Sequence, residues 1–213
     1  MDWKFRPLNP GEVRFLIERH GDHKANVLTD EAVAMCQATG KALQDTHLVI
    51  DAAVSSPAGR ALETALKTLH GYGTMVYTRT NDRLADTAIE PESAAAVKKA
   101  QEKVKKLELS GEEGLAQVLF DPNGEAANLM TRRGEEGADC LREIALKNPG
   151  KIFLIASHGI ARIENTLMAL RSEALHQPDR LAQKCQIVEV ILNAGTGELV
   201  EENWLDPVPM PTT

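Results

Sequence analysis

VRFLIE, residues 13–18, is an apolar run that stops abruptly at Arg19-His20-Gly21; KIFLIAS, residues 151–157, stops in the same way at His158-Gly159. A short apolar run bounded by loop signals reads as a strand buried on both faces. Between the two, helix and strand patterns alternate. Thr29 or Asp30 caps a helix running to about Leu43, with Ala32, Val33, Cys36 and Leu43 small or apolar. Residues 47–54 read as a second strand. Ser55-Ser56-Pro57 then opens a helix with proline in its first turn, whose Leu62, Ala65, Leu66 and Leu69 share a face until Gly71 and Gly73. Residues 74–78 read as a third strand and 160–170 as a helix. Residues 186–193 and 198–204 form a hairpin around Ala194-Gly195-Thr196-Gly197. This alternation predicts a three-layer α/β fold, a mostly parallel sheet with helices on both faces.

From about 87 to 149 the pattern is helical only, rich in Ala, Lys and Glu. The expectation is a single domain over residues 1–213 that carries a helical cap or insertion at about 87–149. The proline-rich tail, 206–213, is expected to be extended. With 213 residues the chain can bury a sizeable core, and 43% apolar content with a net charge of -7 excludes a disordered chain. The acidic balance argues against a dedicated nucleic-acid partner. No apolar run approaches the roughly 20 residues of a membrane span, and residues 1–10 hold no signal-like stretch, so no membrane partner and a cytoplasmic location are expected. Cys36, Cys140 and Cys185 are odd in number and far apart along the chain. They fit neither a disulfide framework nor a zinc spacing, and read as buried thiols of a reducing compartment. Apolar periodicity does not separate core from interface, so the oligomeric state is left open.

In such a sheet, function gathers where strands end and helices begin. Three junctions carry unusual residues: Arg19-His20-Gly21 with Asn26 close behind, Ser55 to Ala61 with Arg60, and Ser157-His158-Gly159. Two guanidinium forks match phosphate oxygens in geometry as well as charge. One neutral imidazole among them can attack phosphorus while the other donates a hydrogen bond or a positive charge. His20 with His23 also has the look of a metal pair. A metal site would want carboxylate or sulfur partners rather than flanking arginines, so no metal ligands are assigned.

These elements resemble the histidine phosphatase superfamily, also called phosphoglycerate-mutase-like. Arg19-His20-Gly21-Asp22-His23-Lys24-Ala25-Asn26 stands where the family has R-H-G-x-T-x-x-N, with His23 in place of the threonine. Leu28-Thr29, Gly40 and Leu43 follow the family's next helix, with Ala32 at its first glycine place. Ser55 through Arg60 and Ala61 to Thr64 and Ala65 complete S-S-P-x-x-R-A-x-x-T-A, and Ser157-His158-Gly159 with Arg162 is the late motif. The match covers residues 13–66 and 152–162; the rest carries no specific motif.

The resemblance implies a phosphoglycerate-mutase-like sheet and a phosphohistidine mechanism without metal or other cofactor. In that scheme His20 is the nucleophile, Arg19, Arg60 and His158 hold the phosphoryl group, and Asn26 assists. The family's R-L-x-E corresponds to Arg83-Leu84-Ala85-Asp86, which makes Asp86 the leaving-group acid, with Asp82 and Glu90 as alternatives. The implied activity is metal-independent hydrolysis of a phosphomonoester, and the implied partner a small phosphorylated metabolite or a phosphoprotein. A phosphoglycerate-type mutase is the near alternative; the mutase pattern E-R-x-Y-G is absent here and the tail is short. A catalytically weak phospholigand-binding module is the alternative from another class. Lys98, Lys99, Lys103, Lys105 and Lys106, together with Arg132-Arg133, read as a solvated helix face, with an anion-attracting cap as the sharper reading.

Overall fold

The computed structural model describes residues 3–86, 91–159 and 162–209. In chain order the elements are β1 (Glu12–Arg19), a small pair β2 (His23–Lys24) and β3 (Val27–Leu28), α1 (Asp30–Asp45), β4 (Ala52–Ser55) and α2 (Gly59–Tyr72). Next come β5 (Thr78–Thr80), a 3₁₀ turn (Asp82–Leu84), α3 (Pro91–Lys106), α4 (Gly111–Leu119), α5 (Ala127–Lys147), β6 (Ile152–Ser157), α6 (Ile163–Leu170), β7 (Ile187–Asn193) and β8 (Leu199–Trp204). The main sheet has the order β5-β4-β6-β1-β7-β8. Its first four strands are parallel, and β7 and β8 add an antiparallel edge.

The period-2 alternation of β1 explains the layering. Val13, Phe15 and Ile17 point to one face, where Leu141, Ile144 and Ala145 of α5 and Leu167 of α6 cover them. Leu16 points to the other face, covered by Leu43 of α1 and by Ala65 and Leu69 of α2. Helices α1 and α2 approach so closely that a Cβ on Gly40 would run into the Thr68 carbonyl and the Gly71 backbone. Thr29 caps α1, its side chain accepting from the Ala32 N–H, as expected.

The described part of the helical stretch, residues 91–149, divides in two. Helices α3 and α4 bury Ala100, Ala116, Leu119 and Phe120 against Met130 and Met168, while the later turns of α5 pack directly on the sheet. The lysines at 98, 99, 103, 105 and 106 are exposed, Lys99 pairing with Glu125 at 3.1 Å. Arg133 departs from the solvated-face reading. It is buried and pairs with Glu136 at 2.8 Å, because its turn of α5 faces α6.

Several boundaries differ from the sequence reading. The second strand begins at Ala52 rather than 47, because Thr46 and His47 still close the exit turn of α1, with His47 at φ 59. The third strand is Thr78–Thr80 rather than 74–78. Gly73 at φ 85 and the Thr74 N–H bond to the Leu69 carbonyl spend the preceding residues on leaving α2. Pro57 precedes the cap residue Ala58, so α2 begins two residues later than expected. The late helix begins at Ile163, and residues 160 and 161 lie outside the described residues, as do 210–213 of the tail. No helix among the described residues is long and apolar enough to cross a membrane.

Candidate active site

Strand register brings the site together. β1 and β6 run level, with Arg19 opposite Ser157, so His20 and His158 leave the sheet side by side. The His20 N–H donates to the Ser157 carbonyl at 2.9 Å, and the two imidazole centroids are 5.0 Å apart. β4 lies on the far side of β6, and its exit turn starts α2, whose second residue is Arg60.

Arg60 is the hub of the cluster. Its Nε donates to His20 Nε2 at 3.2 Å, its Nη1 donates to Asn26 Oδ1, and its Nη2 ion-pairs with Asp86 Oδ2. Nη2 also lies 3.2 Å from His158 Nδ1. Asn26 reaches this position from the tip of the β2–β3 turn, where Ala25 and Asn26 both take positive φ, at 50 and 67. That left-handed pair is the geometry a two-residue hairpin turn requires.

These contacts assign the protons. His20 Nδ1 lies 2.8 Å from the Gly21 carbonyl, which only accepts, so Nδ1 carries the hydrogen and Nε2 keeps a lone pair. His158 Nδ1 accepts from Arg60, so its Nε2 donates to Ser56 Oγ at 2.8 Å. Both rings are therefore neutral. Burial, the largest cause, pushes His20 down to about 2, with the positive charges of Lys184 and Arg60 adding to it. His158 is held well below the usual imidazole value by burial and then by Arg60 and Arg162. His23 is exposed at the mouth, edge-on to His20 at 5.1 Å, and is lowered by burial and Arg60.

Two further ties hold the loop. The Gly21 N–H donates to Thr64 Oγ1 at 3.1 Å, and the Thr64 hydroxyl donates to the Arg60 carbonyl at 2.8 Å, linking the histidine loop to α2. Ser157 Oγ donates to the Leu84 carbonyl at 3.1 Å, anchoring the 3₁₀ turn that leads to Asp86. Of the candidate acids, the cluster holds Asp86, which lies 3.7 Å from His158 Nδ1. Asp82 is exposed in the 3₁₀ turn, and Glu90 lies outside the described residues.

Arg19 is directed differently from Arg60. Its side chain passes Gly159, where any Cβ would run into the guanidinium, and its Nη1 donates to the Ala182 carbonyl at 2.6 Å. Both Nη atoms engage the Glu112 carboxylate of α4. A cleft of about 1360 Å³ opens beside it, lined by Arg19, Glu112, Lys184 and Arg180 but not by His20, Arg60 or His158. The histidine–arginine cluster and this cleft thus meet at Arg19, the residue before His20. Sequence reasoning missed Glu112, which sits in a stretch without a motif. It also gave no role to Ser56, although the paired serines before Pro57 were visible.

The arrangement offers a neutral imidazole with a lone pair, a guanidinium fork beside it, a second imidazole, and a carboxyl bonded to the fork and 3.7 Å from that second ring. A doubly covered parallel sheet with this constellation at its strand ends defines an α/β protein built around paired histidines and an arginine. The model of the histidine phosphatase superfamily (branch 1) matches residues 11–205, and the chain belongs to that superfamily. Among solved structures it is similar to a phosphoglycerate mutase from Bacillus anthracis, at 21% identity over 89% of this chain and 94% of that one, TM-score 0.60. It is similar to a mycobacterial glucosyl-3-phosphoglycerate phosphatase, at 15% identity over 90% and 96%, TM-score 0.65. An Entamoeba histolytica phosphoserine phosphatase, in complex with 3-phosphoglyceric acid, matches at 16% over 90% and 96%, TM-score 0.59. At these identities the likeness is one of fold. No curated protein matches the chain in sequence.

Proposed function

We propose that the chain is a metal-independent phosphatase that hydrolyses a phosphomonoester of a small metabolite through a phosphohistidine at His20. The observation that carries this reading is the fixed tautomer of His20: the Gly21 carbonyl holds the Nδ1 proton, leaving the Nε2 lone pair beside the Arg60 fork. Phosphatases and a mutase of the same fold support the reaction class.

An incoming phosphoryl group takes over the Arg60 fork from Asp86 and Asn26. His20 Nε2 attacks phosphorus as the ester P–O bond breaks, and Asp86, released from Arg60 and carrying a proton taken from the incoming phosphate monoanion, passes that proton to the departing oxygen. Water then attacks the phosphohistidine, its proton returns to Asp86, and phosphate leaves. A unit charge pair at about 4 Å and an effective dielectric near 20 contributes on the order of 4 kcal/mol before desolvation. The Arg60 fork can supply charge stabilisation that metal-dependent phosphoryl transfer takes from Mg²⁺, while the His158 N–H, held by Ser56, fixes that ring beside it. Rapid quench with labelled substrate tests the intermediate. An acid-labile, base-stable phosphate that disappears in His20→Ala is expected, and a phosphate trapped on serine or aspartate would overturn the mechanism.

A further inference from the structure

Beneath the histidine loop lies a cluster that the proposed reaction does not use. Cys36 of α1 and Cys185, in the loop before β7, bring their sulfurs to 3.5 Å although 149 residues separate them. Glu18 of β1 completes the group: one of its carboxylate oxygens and both sulfurs lie within 4.8 Å of one another. All three side chains are buried. Glu18 Oε1 accepts from Thr68 Oγ1 at 3.0 Å, whereas Oε2 is buried without a hydrogen-bond partner. The third cysteine, Cys140, belongs to the opposite face of the sheet.

We infer that Cys36 and Cys185 form a peroxide-oxidisable thiol pair, closed to a disulfide with the Glu18 carboxyl as proton relay. Cys185 is the sulfur that meets the oxidant. It is the less buried of the two, and its neighbours Gln183 and Lys184 line the cleft beside Arg19. Hydrogen peroxide oxidises the Cys185 thiol to a sulfenic acid and is itself reduced to water. The Cys36 sulfur then attacks the Cys185 sulfur, the S–OH bond breaks, and hydroxide leaves as a second water. The proton this water needs comes from Glu18, which is refilled by the Cys36 thiol proton. Two thiols and one peroxide thus become one disulfide and two waters.

The pair is placed to be felt at His20, a consequence that rests on the proposed role of that residue. The Cys185 N–H donates to the Arg19 carbonyl at 3.0 Å. A Cβ added at Gly21 would lie 3.1 Å from Cys185 Sγ, so sulfur and loop are in close contact. A disulfide needs its sulfurs at about 2.05 Å. Closing the gap shifts the Cys185 sulfur against Gly21, whose carbonyl orients the His20 ring. Oxidation is therefore expected to lower turnover.

The test treats the full-length protein with a modest excess of hydrogen peroxide, alkylates it under denaturing conditions, and measures intact mass, peptide linkage and turnover in parallel. The expected result is a loss of about 2 Da with one alkylated thiol remaining at Cys140, a Cys36–Cys185 linked peptide, and turnover reduced at least severalfold and restored by dithiothreitol. Cys36→Ser and Cys36→Ala should both keep the thermal transition, form no such link and resist the peroxide effect on turnover. Three alkylated cysteines after peroxide, or sulfinic adducts in place of the link, would overturn the pair. A link that leaves turnover unchanged would overturn its coupling to the loop. The linkage is read by mass, so it is decided separately from the phosphohistidine, which the quench experiment decides.

Discussion

Replacing Arg60 by alanine separates a transition-state clamp from a structural ion pair. The side chain touches His20, Asn26, Asp86 and His158 at once, and no other described residue bridges all four. Loss of one preorganised donor set aimed at developing phosphoryl charge costs about 3–4 kcal/mol, which is a factor of roughly 10²–10³ in kcat. Folding loses far less. The partner carboxylate of Asp86 is 32% exposed and water replaces the missing cation, so the pair contributes on the order of 1 kcal/mol or less to stability. Arg60→Lys keeps the charge but not the fork, and a lysine cannot serve two imidazoles and two oxygens together. It is expected to recover only part of the lost rate. Steady-state kinetics on p-nitrophenyl phosphate, with thermal melts of the same preparations, measure both quantities. Arg60→Ala at wild-type kcat per folded molecule, with its thermal transition lost, would make the residue structural and refute the reasoning.

Asp86→Asn should slow hydrolysis of alkyl phosphates far more than of p-nitrophenyl phosphate, whose leaving phenolate needs little protonation; equal losses on both esters would exclude proton donation by Asp86. Gly40→Ala should lower Tm by several degrees while leaving kcat per folded molecule intact. The new Cβ meets the α2 backbone, and overpacking of this kind costs about 1–3 kcal/mol. Acid should weaken the fold through His20. Its folded value is depressed to about 2, so below the usual 6.5 the unfolded chain binds a proton that the folded one refuses, and stability falls as pH drops from 6.5. The Tm of His20→Gln should accordingly fall less between pH 7 and pH 5 than that of the wild type, and parallel curves would count against the buried neutral ring.

Much of the site was legible because its determinants are local. An apolar run followed by a polar tripeptide marks a strand end, and in a parallel sheet strand ends share one edge. Arg60, His20, His158, Asn26 and Asp86 meet there as their motifs imply, since each lies within a few residues of a strand or helix end. Exact strand limits were less legible. Exposed Val49, Met75 and Tyr77 have strand-forming or apolar side chains, yet pairing starts only opposite Phe153 of β6 and Ala53 of β4.

The remaining features depend on contacts between residues remote in sequence, and no period or motif records those. The Arg19–Glu112 pair spans 93 residues and exists because the first turn of α4 presents Glu112 to the Arg19 guanidinium. Cys36 and Cys185 look unrelated along the chain and touch only because α1 and the loop before β7 pack beneath Gly21. Arg133 reads as a surface cation and is buried because α5 turns that face to α6. By itself the sequence determined the alternation of strands and helices and the residues at the strand ends, because backbone periodicity and turn chemistry act over a few residues. The direction of Arg19, the company of Glu18 and the division of the helical stretch were decided by tertiary packing, which sets which faces meet.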